Sequence, residues 1–209
     1  MLNLKVEEYC VGEVQTNCYF AVNSATNEVI IVDPGAAAGK LAEMIEEKEY
    51  KPVAILLTHG HFDHAGAAEE LSKLLEVKIY AHEAEQETLE NPRFNQSVML
   101  GKQEKYYADI YVKDGEMLEL AGFSIRVLHT PGHTVGGCCY YIPKEDAVFS
   151  GDTLFCQSVG RTDFPGGSMS QIVRSIREKL MTLPDHIKVY PGHMDNTTIG
   201  QEKQWNPFI

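Results

Sequence analysis

Three histidines and one aspartate fall within six consecutive positions of the segment T-H-G-H-F-D-H-A-G: His59, His61, Asp63 and His64. The segment follows residues 53–57, V-A-I-L-L, a run apolar enough to predict a strand buried on both faces. On such a strand the first two histidines share one face, and a turn would bring the other two side chains inward. Packing gives no reason to concentrate four such side chains beside a buried strand, so the segment predicts a metal site.

Three more predicted strands run directly into a short turn that carries a metal-capable side chain, and these turns contribute His133, Asp152 and His193. Sites in α/β sheets are usually built at the ends of strands. The full set is therefore five histidines and two aspartates, about the number of donors that two metals with a bridging carboxylate need. The other three histidines lack such a context, and we predict that they are not ligands: His82, His129 and His186.

Apolar runs alternate with amphipathic segments along the chain, which predicts an α/β fold. Strands are predicted at residues 19–22, 29–32, 53–57, 77–80, 123–128, 139–142, 147–149 and 187–190. Helices are predicted at residues 36–50, 65–75, 84–90 and 169–181. Residues 92–107 show no clear pattern. We expect one domain with strands at both ends of the chain and helices between them.

The composition excludes several classes of protein. The 209 residues include 30 acidic and 18 basic side chains, a net charge of −12 that argues against a nucleic-acid partner. No apolar stretch approaches the roughly 20 residues of a membrane span, and the N-terminus lacks the features of a signal peptide. The five cysteines form no C-x-x-C motif, which indicates neither a disulfide framework nor a zinc ribbon. A reducing cytoplasm is the expected location.

The motif H-x-H-x-D-H, followed by an isolated His, Asp and His, resembles the metallo-β-lactamase superfamily. The resemblance implies an αββα sandwich of two mixed sheets flanked by helices, with a dinuclear metal site at one edge. It also implies the ligands: His59, His61 and His133 for the first metal, Asp63, His64 and His193 for the second, and Asp152 as the bridge. The tripeptide D-P-G at residues 33–35 matches a recurrent element near such sites, and we interpret it as a support for the turn.

Two further motifs resemble the compact, glyoxalase II-like branch of that superfamily, whose name refers to hydroxyacylglutathione hydrolases. They are G-R-T-D-F-P-G-G at residues 160–167 and G-Q-E-K-Q-W-N-P-F at residues 200–208. Two-domain members carry an additional helical C-terminal domain that contacts glutathione. Because only 16 residues follow His193, we expect a single domain over residues 1–209 without that addition. Arg161 and Asp163 are expected to form a structural ion pair rather than to contact substrate.

The resemblance implies a dinuclear metal hydrolase that acts on a small-molecule thioester such as an S-acylglutathione. A hydroxide bridging two divalent metals, zinc or else iron or manganese, would attack the carbonyl carbon, and Asp63 would orient it. A thiolate leaves without a general acid because thiol pKa values are about 8.5. The alternative is a persulfide dioxygenase with one iron on His59, His133 and Asp152. Possible contacts to an anionic substrate are Lys102, Lys105, Arg161 and Lys203. The sequence does not indicate an oligomeric state.

Overall fold

The computed structural model describes residues 3–209 and contains two six-stranded sheets. The first sheet uses the strands of the N-terminal half in chain order: β1 (Leu4–Val11), β2 (Thr16–Asn23), β3 (Glu28–Val32), β4 (Lys51–Leu56), β5 (Lys78–His82) and β6 (Ile110–Val112). Strands β1, β2 and β3 pair antiparallel, whereas β3 to β6 pair parallel. The sheet is therefore mixed, and its parallel part carries the strand that precedes the histidine cluster.

The second sheet comes from the C-terminal half and is also mixed. Its strands are β7 (Met117–Leu120), β8 (Phe123–His129), β9 (Cys138–Ile142), β10 (Ala147–Gly151), β13 (Lys188–Pro191) and β14 (Thr197–Thr198). Their order across the sheet is β14-β13-β10-β9-β8-β7, and only the pair β10 and β13 is parallel. A small separate hairpin is formed by β11 (Leu154–Phe155) and β12 (Ser158–Val159).

Helices cover the outer faces of both sheets. They are α1 (Ala38–Glu47), α2 (Phe62–Ala65), α3 (Ala68–Leu75), α4 (Gln86–Glu90), α5 (Met169–Ser175) and α6 (Ile199–Trp205). A π-helical turn, Ile176–Leu180, continues α5. Within residues 3–209, no helix has the length and apolar character that crossing a membrane requires.

Three buried clusters define the layers. Successive residues of a strand point to opposite faces, so Tyr19 of β2 packs between the two sheets while Phe20 packs under the helices of the first sheet. The outer cluster of the first sheet includes Leu41 of α1 and Leu71 of α3. The outer cluster of the second sheet includes Ile172 of α5. The order helix, sheet, sheet, helix confirms the predicted αββα sandwich.

The predicted elements agree with the structure where the pattern is strong. Each of the eight predicted strands overlaps an observed strand, and each predicted helix overlaps an observed one. The prediction of a strand at the C-terminal end is wrong, because α6 follows β14. There the side chain of Thr198 caps the helix by accepting a hydrogen bond from the Gln201 backbone at 3.2 Å.

The predicted helix over residues 65–75 is divided in the structure. Helix α2 ends at Ala65, and α3 begins at Ala68. Between them, the Ala67 N–H donates to the Pro34 carbonyl at 3.0 Å instead of continuing one helix. A Cβ on Gly66 would lie 2.7 Å from the Gly35 carbonyl oxygen, so only glycine permits this approach. At this break between the helices, the segment that follows the histidine cluster packs against the turn after β3.

Candidate metal centre

The structure brings the seven predicted side chains together from both sheets. His59 and His61 follow β4, and α2 carries the next two members of the cluster. The other three follow strands β8, β10 and β13 of the second sheet: His133, Asp152 and His193. Their ligand atoms form overlapping groups in which all atoms lie within 4.8 Å of one another. Strand ends from two sheets therefore supply one site.

The first group consists of three buried histidines. His61 Nδ1 lies 3.1 Å from His59 Nε2 and 3.0 Å from His133 Nε2. Nitrogen ligands about 2.0–2.1 Å from one ion would lie at comparable distances from each other. The three nitrogens therefore have the spacing of ligands that converge on one cation.

The hydrogen bonds of these histidines indicate which nitrogens face inward without a proton. His133 Nδ1 lies 2.8 Å from the Arg161 carbonyl, which can only accept, so Nδ1 donates and Nε2 is free. The Thr58 hydroxyl donates to Asp33 Oδ2, and it therefore accepts from His59 Nδ1 at 3.2 Å. His59 Nε2 is thus also an unprotonated nitrogen. Two such lone pairs directed at one point fit a cation between them.

The second group contains both kinds of ligand. His193 Nε2 lies 3.2 Å from Asp63 Oδ2, and His64 Nε2 lies 3.6 Å from the same oxygen. The Nδ1 atom of His64 donates to Asp33 Oδ2 at 2.9 Å. A carboxylate that orients a ligand histidine in this way is common around metals. Here it leaves His64 Nε2 directed at the carboxylates of the site.

Asp152 lies between the two groups. Its Oδ2 is 3.4 Å from His133 Nε2, and its Oδ1 is 3.4 Å from His64 Nε2. Asp152 Oδ1 and His64 Nε2 are buried and have no hydrogen-bond partner among the described residues. Buried polar atoms are rarely left without a partner, so these two need a group that the protein chain does not supply. The donors and the unpartnered atoms fit two divalent cations.

The pKa values at the site reflect a competition between burial and charge. Burial and the neighbouring His133 lower the pKa of His61 to about 3. Burial would raise the pKa of Asp152, but His64 outweighs it and brings that pKa to about 2. At neutral pH Asp152 is therefore ionised and His61 neutral, the forms in which these side chains bind metal. Burial would lower the pKa of His64, but Asp63 and Asp152 outweigh it and raise that pKa, so a cation would displace a proton there.

Sequence reasoning missed three residues that hold these side chains in place, Thr16, Thr58 and Glu85, and assigned a fourth, Asp33, only a support role in its turn. The Thr16 hydroxyl donates to Asp63 Oδ2 at 3.0 Å. Asp33 accepts from the Thr58 backbone and hydroxyl as well as from His64, so it does more than support a turn. Thr58 directly precedes His59, and this adjacency to a candidate ligand is the sequence signal that could have identified it. Glu85 has no signal in the sequence.

Glu85 is fully buried and joins the two loops that carry the first group. One carboxylate oxygen accepts from the Gly60 backbone at 2.9 Å, between His59 and His61. The other accepts from the Gly136 backbone at 2.6 Å and from the Thr134 hydroxyl at 3.0 Å. Burial raises the pKa of Glu85 to about 7, although these hydrogen bonds oppose the shift.

The remaining histidines lie elsewhere. His82 stacks on His129, with ring centroids 4.1 Å apart, and His186 contacts Asp146 at 3.1 Å. Within residues 3–209, none of these three belongs to the groups of side chains described above. That they do not bind metal stays a prediction.

The predicted anion contacts have different surroundings. Arg161 and Asp163 form the expected ion pair, with both nitrogen-to-oxygen distances at 2.7 Å. Lys203 is held by Asp185 at 2.6 Å, and Lys102 lies 3.3 Å from Glu104. Each of these three cations therefore already has an acidic partner. No contact of Lys105 bears on its predicted role.

Two cavities adjoin the metal centre. One, of about 430 Å³, opens over it. Five of the seven candidate ligands line this cavity: His61, Asp63, His133, Asp152 and His193. The other, of about 480 Å³, lies on the far side of Phe62 and Asp63 and is lined partly by Glu13, Glu70 and Glu104. Both volumes are in the range of small-molecule sites. The first is the cavity with access to the candidate ligands.

The fold and this constellation of histidines and aspartates define a class of protein. The family model of the metallo-β-lactamase superfamily matches residues 11–193, and the chain belongs to that superfamily. The chain is 39% identical to the hydroxyacylglutathione hydrolase GloC of Haemophilus influenzae, over 99% of this chain and 98% of that protein.

Two solved structures are similar over almost their whole length. The BLEG-1 B3 metallo-β-lactamase has a TM-score of 0.92 and 40% identity, with 98% of this chain and 99% of that chain covered. The protein TTHA1623, solved in a di-iron-bound form, has a TM-score of 0.87 and 34% identity, with 97% and 100% covered. These neighbours confirm the metallo-β-lactamase fold. They also include a protein with two metals.

Proposed function

We propose that this protein is a dinuclear metal hydrolase that cleaves thioesters of the S-acylglutathione type. The observation that carries the proposal is the convergence of seven ligand side chains in two groups with Asp152 between them. His59, His61 and His133 would hold one divalent cation, and Asp63, His64 and His193 the other. The similarity to a hydroxyacylglutathione hydrolase over the whole chain supports the thioester as substrate.

Divalent cations bound at these residues lower the pKa of water and stabilise negative charge on a carbonyl oxygen. The protein's own contribution is position. Thr16 and His193 fix the Asp63 carboxylate, which faces the cavity and can orient the attacking water. The leaving thiolate needs no proton donor. Zinc, iron and manganese all suit imidazole and carboxylate ligands, and we propose zinc.

The alternative is a persulfide dioxygenase with one iron on His59, His133 and Asp152. The geometry favours the hydrolase, because the groups of converging ligand atoms among the described residues include His59, His61 and His133 but no group of His59, His133 and Asp152. The small-molecule substrate and the cytoplasmic location are part of the proposal. The five unpaired cysteines support a reducing compartment.

Metal analysis combined with two assays tests the proposal. We expect about two metal equivalents, turnover of an S-acylglutathione, and no oxygen uptake with glutathione persulfide. The double substitution Asp63→Ala with His64→Ala is expected to remove one metal equivalent and at least about 100-fold of the hydrolysis rate. His186→Ala, at an exposed position outside the site, is the matched control. One iron with oxygen uptake, or near-full hydrolysis by the double variant, would contradict the dinuclear hydrolase.

A further inference from the structure

The cavity over the metal centre has an apolar rim built from three separate segments. Val14 lies in the turn before β2, Met99 in the short helical turn Ser97–Leu100, and Met194 directly after β13. Their side chains are 47%, 64% and 56% exposed. Apolar side chains that gather from distant parts of a chain around one opening mark a binding surface.

The apolar surface continues into the cavity. Phe155 of the β11–β12 hairpin and Val159 are buried there, and the ring of Phe164 faces His61 at a centroid distance of 5.7 Å. Methionine side chains are flexible and adapt to ligands of different shape. The surface that surrounds the metal ligands is therefore suited to a hydrocarbon group of variable length.

The C-terminal helix fixes the hairpin that forms this wall. The buried carboxylate of Glu202 accepts a hydrogen bond from the Gln157 backbone at 2.8 Å, in the hairpin turn. Asn206 donates to the Ser158 carbonyl at 3.0 Å and to Glu202 at 2.8 Å. The G-Q-E-K-Q-W-N-P-F motif thus supports the cavity wall.

Free positive charge is scarce in this cavity. Among its lining residues in the described part of the chain, Arg161 is the one lysine or arginine. Its Nε and Nη2 atoms both donate to the Asp163 carboxylate, and the guanidinium carbon lies 3.9 Å from the Phe164 ring centroid. In the neighbouring cavity, Lys102 is paired with Glu104. Neither cavity offers an unpaired cation to the carboxylates of a glutathione moiety.

We infer that this cavity binds an apolar acyl chain, so that the protein selects thioesters by their acyl group and not by glutathione. The inference rests on the proposed thioesterase function and names the part of the substrate that the protein recognises. The carbonyl would lie at the metal ligands, and the chain would extend along Phe155 and Met194 toward the rim.

The first test measures kcat/KM for N-acetylcysteamine thioesters with acetyl, butanoyl and hexanoyl groups. Each buried CH₂ contributes enough for about a fourfold increase, so the butanoyl ester is expected to exceed the acetyl ester by roughly tenfold or more. S-acylglutathiones with the same acyl groups are expected to follow the same order with no added preference. A rate that depends on glutathione and is indifferent to chain length would overturn the inference while leaving the thioesterase function intact.

The second test does not depend on turnover. Calorimetry on the zinc-loaded protein measures Kd for acetate, butanoate and hexanoate, and Kd is expected to fall as the chain lengthens. Met194→Asp is expected to abolish most of this dependence, whereas Met117→Asp, at an exposed position on β7 outside the cavity, preserves it. Chain-dependent binding without any thioester hydrolysis would refute the proposed function but support the apolar cavity. Equal Kd values for all three acids would refute the cavity.

Discussion

At the scale of single residues, the site depends on side chains that are not among the candidate ligands. Asp33 illustrates this, because its carboxylate bonds both the Thr58 hydroxyl and His64 Nδ1. The first bond makes Thr58 an acceptor for His59, and the second leaves His64 Nε2 free. One buried carboxylate therefore sets the tautomers of two candidate ligands in different groups.

Glu85 gives the first prediction at this scale. Glu85→Gln replaces an acceptor with an NH₂ group that faces the backbone N–H of Gly60 or of Gly136. Loss of such a bond is expected to cost about 1–3 kcal/mol of stability and to weaken zinc binding at the three-histidine group by about tenfold or more. Competition with a chromophoric chelator measures the zinc affinity, and urea unfolding measures the stability.

The matched control is Glu7→Gln on β1. Glu7 is paired with Lys5 at 2.7 Å and accepts from Tyr50 at 2.9 Å, far from the loops of the candidate ligands. This variant is expected to lose stability while zinc affinity stays constant. If Glu85→Gln behaves in the same way, Glu85 supports the fold but does not position the ligands.

The candidate ligands could be predicted from the sequence because their types and spacing are unusual, whereas the residues that orient them could not. Glu85 lies 25 positions from Gly60 and 51 from Gly136. The first contact needs β4 and β5 to pair, and the second exists only after the two sheets have packed. An isolated glutamate gives no pattern to detect. The sequence gives no sign of the role of Thr16 either, since threonine is common in strands.

At the scale of elements, strands with a continuous apolar run were predictable, whereas short strands, outermost strands and the division of one helix were not. Strands such as β2 and β9 are buried throughout and stand out as apolar runs. Six strands were not predicted: β1, β6, β7, β11, β12 and β14. Strands β11, β12 and β14 have two residues each, too few for any periodic pattern. Strands β1, β6 and β7 are outermost strands of their sheets and are only partly buried, so they lack the continuous apolar run of the inner strands. The break between α2 and α3 was not predicted because it depends on contact with the distant turn at Gly35.

That contact leads to a prediction. A Cβ at Gly35 would lie 1.4 Å from the Asp63 carbonyl oxygen, so the turn after β3 and helix α2 would have to separate. Gly35→Ala is expected to lower stability by about 2–3 kcal/mol or more and to reduce metal content. Metal analysis and denaturant unfolding check both effects.

Gly39→Ala is the control for the same chemical change. Gly39 lies in the first turn of α1, and its Cβ would meet nothing within 4 Å. Since alanine favours helix over glycine, this variant is expected to gain about 0.5–1 kcal/mol with unchanged metal content. Equal behaviour of the two variants would mean that close packing at Gly35 does not hold the cluster.

At the scale of the whole molecule, the two sheets meet through paired groups near the site. His82 ends β5 in the first sheet and His129 ends β8 in the second, and their rings stack with an interplanar angle of 7°. Burial and the neighbouring His129 lower the pKa of His82 from 6.5 to about 4. The ring is thus neutral where the unfolded chain would already be protonated.

This shift predicts a loss of stability in acid. Between pH 6.5 and 4 the unfolded state binds more protons at His82, so stability falls as pH falls, by about 3 kcal/mol at pH 4. His82→Asn keeps an acceptor for the Ala84 N–H and removes this contribution. Urea unfolding at pH 7 to 4 should show a smaller acid loss in this variant than in the wild type. His186→Asn should retain the full loss, and an unchanged slope in His82→Asn would contradict the assignment.

Metal removal is the second prediction at this scale. The first sheet supplies the candidate ligands after β4, and the second sheet supplies those after β8, β10 and β13. A cation that binds only the folded arrangement stabilises it by about 2.7 kcal/mol at a free concentration 100 times its Kd. Chelation is therefore expected to lower Tm by several degrees, measured by calorimetry, with recovery on adding zinc. A Tm insensitive to chelator would show that the sheets close without metal.

The five cysteines form no disulfide, yet the candidate ligands come from segments as distant as residues 59 and 193. A disulfide across such a span would be either present or absent. A cation that joins the same segments would stabilise the fold by an amount that rises with the logarithm of its free concentration above Kd, because it binds by mass action. The lifetime of the folded chain would then report on the metal supply around it, and scarcity would expose the protein to unfolding and degradation.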